Sequence, residues 1–129
     1  MDDKTRYWID ISAYDYETAK SMLEAGRYLY VGFMCHQAIE KILKAYWQKT
    51  REQVPPRTHN LLYLVTETGL KSLLSESQLD FIDELDPLNV ASRYPEHAAS
   101  LSERFNRQDS ELVYVKTGEL FQWIKQKLS

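Results

Sequence analysis

Between Tyr28 and Lys49 apolar side chains stand at Val31, Met34, Cys35, Ala38, Ile39, Ile42, Leu43, Ala45, Tyr46 and Trp47. That spacing makes a helix apolar around most of its circumference, and such a helix must be covered by neighbours on several sides. The segment therefore predicts a central helix and makes the rest of the chain its coat. Upstream, Ile9, Ala13, Tyr16, Ala19 and Leu23 follow steps of three and four, the spacing of one helix face, and Gly26 is placed to stop that helix in a left-handed cap. Downstream, Pro55-Pro56 ends the hairpin, since neither residue has an amide hydrogen to continue a helix.

A shorter helix is expected after Thr58, carrying Leu61, Leu62 and Val65 and stopping at Gly69. Ser75 and Gln78 have the spacing of a capping box, which opens a helix with Phe81, Ile82 and Leu85 inward. Pro87 breaks or kinks that helix, and Pro95 interrupts the chain again. The last helix, about Asp109 to Leu128, places Val113, Thr117, Leu120, Phe121, Ile124 and Leu128 on one face. No stretch alternates with period two between turn signals, so strands are not expected. The expected fold is all-α, an antiparallel up-and-down four-helix bundle with a short additional helix, in one domain over residues 1–129.

A chain of 129 residues is long enough for one hydrophobic core. Its net charge of −3 argues against non-specific coating of DNA. The charge is unevenly spread, however. Lys41, Lys44, Lys49, Arg51 and Arg57 are opposed locally only by Glu52, whereas Glu76, Asp80, Asp83, Glu84 and Asp86 have no base among them. The plainer reading of both runs is a solvated helix face. Cys35 is the single cysteine, which excludes an intrachain disulfide and fits a reducing compartment. The N-terminus has no signal pattern and the longest apolar run, Tyr28 to Cys35, is too short to span a bilayer. A cytoplasmic protein without a membrane partner is expected.

Several chemistries find no support in the residues. Gly26, Gly32, Gly69 and Gly118 form neither a dinucleotide fingerprint nor a P-loop, and no Gly-x-Ser-x-Gly elbow is present. His36, His59 and His97 are scattered without a second ligand at zinc spacing. Cys35, set among apolar residues, reads as a core residue rather than a nucleophile. Neither metal nor cofactor is expected. What stands out is a polar stripe along the central helix, Gln37, Lys41, Lys44 and Gln48, beside His36 and Glu40, which are four residues apart. Side chains one turn apart can share a ligand or bond each other. Taken alone, the stripe reads as the solvated edge of an amphipathic helix.

Five short segments make a more specific pattern. They are Gly26-Arg27-Tyr28, His36-Gln37-Ala38-Ile39-Glu40-Lys41 with the following Leu43-Lys44-Ala45, Thr58-His59-Asn60-Leu61, and Ala91-Ser92-Arg93-Tyr94-Pro95. In this order, over nearly the whole chain, they resemble the HEPN family. The resemblance implies an antiparallel four-helix bundle, usually dimeric, and one of two kinds of function. Some members are metal-independent ribonucleases, often toxins, with an Arg-polar-x-x-x-His motif. Others accompany a minimal nucleotidyltransferase and are thought to bind nucleotide or RNA. Here Arg93-Tyr94-Pro95-Glu96-His97 has three intervening residues instead of four, Tyr94 where a polar residue is usual, and Pro95 within the motif.

The leading expectation is a nucleotide- or RNA-phosphate-binding module that partners a minimal nucleotidyltransferase in a toxin–antitoxin-like pair, with Lys41, Lys44, Arg93 and His97 as phosphate contacts and His59 as a further candidate. Lysine offers phosphate a point charge and arginine a planar fork. One alternative is a metal-independent ribonuclease toxin in which His97 transfers a proton and Arg93 stabilises a phosphorane. The other is a non-catalytic protein-interaction domain whose polar residues bond one another. A homodimer is also expected, because Trp8, Tyr28, Tyr30, Tyr46, Trp47 and Trp123 are a large aromatic load for so small a bundle.

Overall fold

The structure, a computed structural model, describes residues 1–91 and 106–129. Among the described residues six helices and one 3-10 turn run in chain order: α1 (Asp3–Glu24), α2 (Tyr28–Arg51), α3 (Leu61–Glu67), the 3-10 turn (Leu70–Leu73), α4 (Glu76–Leu85), α5 (Leu88–Ala91) and α6 (Arg107–Gln126). Among the described residues there is no strand. The fold is the all-α antiparallel bundle that the periodicity predicts. Where one short extra helix is expected, the described residues contain two, α3 and α5, because Pro87 separates α5 from α4 rather than merely bending it.

Asp2 starts α1 by accepting the Thr5 amide hydrogen at 2.7 Å. Gly26, at φ 75°, ends the helix in a Schellman turn, with Arg27 N–H donating to Met22 O at 2.8 Å and Gly26 N–H to Leu23 O at 3.2 Å. The chain turns within three residues, so α1 and α2 lie side by side as an antiparallel hairpin. Glu52, in a left-handed conformation, stops α2 before Pro55-Pro56 is reached. The N-cap of α3 is Asn60, whose side chain accepts from Tyr63 N–H at 3.0 Å. On α3 it is Leu64, not Leu62, that joins Leu61 and Val65 in the core. The capping box of Ser75 and Gln78 is present in both directions, at 3.1 and 2.8 Å.

Helix α2 is central. It contacts α1, α3, α4, α5 and α6, and Val31, Cys35, Ile39, Ile42 and Leu43 on it are wholly buried. Phe81, Ile82 and Leu85 of α4 and Leu120, Phe121 and Ile124 of α6 close the same core. Cys35 packs inside it, and burial pushes its thiol pKa up to about 12. No thiolate nucleophile is available there at neutral pH. Among the described residues no helix is long and apolar enough to cross a membrane.

Candidate functional site

The polar stripe of α2 is not a solvated edge. Gln37, Lys44 and Gln48 are 8%, 6% and 5% exposed, and Glu40 and His36 beside them are 1% and 0%. Burying so many polar groups is costly unless they find partners, and for His36, Gln37, Glu40 and Lys41 partners arrive from four other parts of the chain. α1 brings Asp15 within 3.6 Å of Lys41 Nζ. The segment before α3 brings His59, the residue after α4 is Asp86, and α5 brings Asn89. The solvated-edge expectation fails because the same helical spacing serves an exposed edge and a buried network equally well.

The network has a closed half and an open half. In the closed half, Asp86 Oδ1 accepts the Leu61 amide hydrogen at 3.1 Å and lies 3.3 Å from His36 Nε2. The Gln37 amide nitrogen donates to Asn89 Oδ1 at 3.2 Å, with His36 Nδ1 at 3.4 Å, while Gln37 Oε1 accepts from Lys41 Nζ at 2.9 Å. With the Gln37 amide donating toward Nδ1, it is the Nε2 proton of His36 that faces Asp86. Its role there is to join α2 to the end of α4. Burial raises the Asp15 carboxyl pKa, and the neighbouring Lys41 only partly offsets it.

In the open half, Glu40 lies between two cationic-type groups. Lys44 Nζ donates to Oε2 at 3.0 Å and His59 Nδ1 stands 2.7 Å from Oε1. Burial alone would push the Glu40 carboxyl up. The hydrogen bond from His59 and the charge and hydrogen bond of Lys44, with Lys41 beyond, outweigh it and hold the carboxyl below its usual range. An ionised carboxylate only accepts, so His59 Nδ1 is the donor, which leaves Nε2 as the ring nitrogen that Glu40 does not engage. The His59 side chain is 47% exposed. It is the open end of an otherwise enclosed network.

Three of the sequence candidates are brought together. Lys41, Lys44 and His59 converge on one stretch of α2, the first two engaged with Gln37, Asp15 and Glu40 and the third reaching solvent. Arg93 and His97 lie outside the described residues. Of the other bases in the run, Lys49 donates to the Leu128 carbonyl and Arg51 to the Glu67 carbonyl, so they tie α2 to its neighbours. Asp15, Asp86 and Asn89 are members that sequence reading did not single out. Asp15 had a signal: Ser12, Asp15 and Ala19 share the steps of three and four that mark the buried face of α1. Among the described residues, no group of three or more His, Cys, Asp or Glu side chains is arranged to hold a metal ion.

The sequence model of the HEPN domain matches residues 5–127. The fold is similar to the crystal structure of a protein from Thermus thermophilus, with a TM-score of 0.82 and 21% identity over 98% of this chain and 99% of that one. It is also similar to the crystal structure of an archaeal HEPN homologue, at a TM-score of 0.71 and 21% identity over 97% and 98% of the two chains. A search of curated proteins finds no match.

Proposed function

The chain belongs to the HEPN domain family, and from that premise we propose that it is a nucleotide- or RNA-phosphate-binding module, partner to a minimal nucleotidyltransferase in a toxin–antitoxin-like pair. The observation that carries this reading is His59, nearly half exposed and held at Nδ1 by a buried, ionised Glu40. With one nitrogen fixed, the ring presents Nε2 in a set direction. In its imidazolium form that nitrogen is a charge-assisted donor to a phosphate oxygen. Arg93 is the further cation of the reading, whereas Lys41 and Lys44, expected as contacts, are already engaged by Gln37, Asp15 and Glu40. With cationic side chains as the contacts, binding should weaken steeply as salt rises and should ignore a chelator. Titration of a short RNA at two salt concentrations with chelator present tests this. Salt-insensitive affinity, or full affinity in His59→Ala, would overturn it.

A second reading is a metal-independent ribonuclease using Arg93 and His97, which His59 would join as a further proton-transfer group. A carboxylate that orients a half-exposed imidazole is also an arrangement suited to proton transfer. Chelator-resistant cleavage of single-stranded RNA by wild type, lost in His97→Ala, would establish that reading in place of the first.

A further inference from the structure

Between α4 and α6 a groove of about 870 Å³ opens, floored by the buried Phe81 and Leu120 and the partly buried Trp123. Its α4 rim is acidic. Glu76, Asp80 and Glu84 stand four residues apart, so they repeat about every 6 Å along one edge of the groove. Glu119 on α6 adds a fourth carboxylate. All four are exposed, and none is in an ion pair among the described residues. The lining base, Lys116, does not neutralise them, for its Nζ sits 5.9 Å from the Phe81 ring centroid. The stripe works against the helix that carries it. Like charges one turn apart repel. Glu76 suits the first turn of α4, but Glu84 lies in the last, where it adds to the negative end of the helix dipole and no base offsets it.

We propose that this groove docks a short basic segment of a partner protein, with arginine side chains laid across its floor. Charge complementarity names the occupant, since carboxylates without a counter-charge inside the chain are completed by cations from outside it. The floor already holds cations on its rings: besides Lys116 over Phe81, Lys127 Nζ is 4.8 Å from the Trp123 centroid. Arginine fits better than lysine, because its planar head can stack on an aromatic ring and fork a carboxylate while its stem covers apolar surface. The spacing suits an extended chain. Alternate residues of a strand point the same way about 6.6 Å apart, close to the repeat of the α4 carboxylates. This inference goes beyond the phosphate-binding reading and does not rest on it, for an acidic groove repels a phosphate.

The test is a nuclear magnetic resonance titration of the full chain in low salt with a capped Arg-Ala-Arg-Ala-Arg peptide. The peptide should shift the Trp123 indole N–H and leave that of Trp47, which is 7% exposed in the core, in place. The same peptide with citrulline for arginine keeps the shape without the charge and should shift neither. Asp80→Asn combined with Glu84→Gln should weaken the arginine peptide about fivefold, the effect of losing two exposed ion pairs. Because the carboxylates repel one another, the double variant should melt at or above the wild-type temperature. A lower melting temperature would mean that the stripe serves the fold, and it overturns the inference. So does a Trp123 signal that the arginine peptide leaves still, or a double variant that binds it as tightly as wild type. Spermine, a polycation without planar forks, should bind more weakly than the peptide. Equal affinity would assign the groove to free polyamines and remove the protein segment from it.

Discussion

Glu40 is 1% exposed, and its carboxylate is tolerable in the core of the network only because Lys44 and His59 both bond it. Glu40→Gln keeps the shape and removes the charge. Lys44, itself 6% exposed, is then left without a counter-charge, and the loss is expected to be about 3 kcal/mol, as for other broken buried pairs. Urea denaturation at pH 7 measures it. The sign of its pH dependence follows from the depressed Glu40 pKa. Stability from that group is full above the unfolded carboxyl pKa of about 4.3 and is lost as pH falls through the lower folded value. The gap between wild type and Glu40→Gln should therefore shrink on acidification. Asp15 runs the other way, since burial raises its pKa and protonation relieves a cost, so the test is the difference between the two proteins and not the wild-type curve. A gap unchanged at pH 3 would mean that the charge of Glu40 is not what stabilises the network.

Between elements, α6 approaches α1 closely at Gly118. A Cβ there would overlap the Tyr16 hydroxyl, which donates to the Tyr114 carbonyl at 2.9 Å. Tyr16 has no easy retreat, for its ring stacks on Tyr114 at 4.6 Å and on Phe121 at 6.0 Å. Gly118→Ala gains helix propensity of about 1 kcal/mol but overpacks a site where the cost is about 1–3 kcal/mol. A net loss of stability is expected, recovered in part by Tyr16→Phe in the same chain, since that change vacates the contested position. A thermal melt in which Gly118→Ala is the more stable protein would refute the close contact. The helices themselves were legible because each signal is local: period, the Gly26 cap, Pro87, the Ser75–Gln78 box. Tyr16 against Gly118 was not, because the two residues are far apart in the chain and meet only when α6 docks on α1. The site was half legible for the same reason. His36, Glu40, Lys41 and Lys44 show in the spacing of one helix, whereas their burial is decided by Asp15, His59, Asp86 and Asn89, which only the folded chain brings to α2.

For the molecule as a whole, the aromatic load that suggests a homodimer divides in two once the fold is known. Trp47 belongs to the core at 7% exposure, while Tyr30 stays 45% exposed. Trp8 is partly buried against the core, with Lys44 Nζ 5.7 Å from its ring centroid. The surface adds residues that the sequence did not single out, Tyr14 at 69%, Leu112 at 54% and Val115 at 52%. Leu112 and Val115 are three apart, on one outward face of α6. A twofold contact can cover such an aliphatic stripe with its own copy, because the same patch then serves both protomers. The expected result is a dimer at micromolar concentration by light scattering, against a chain mass of 15.2 kDa. Leu112→Glu should return the monomer mass while leaving the helical circular dichroism intact, since the side chain is outside the core. Association that stabilises the folded state also makes the melting temperature rise with protein concentration in wild type and not in Leu112→Glu. A monomer mass across the micromolar range, with a melting temperature indifferent to concentration, would leave that face of α6 uncovered by a second copy.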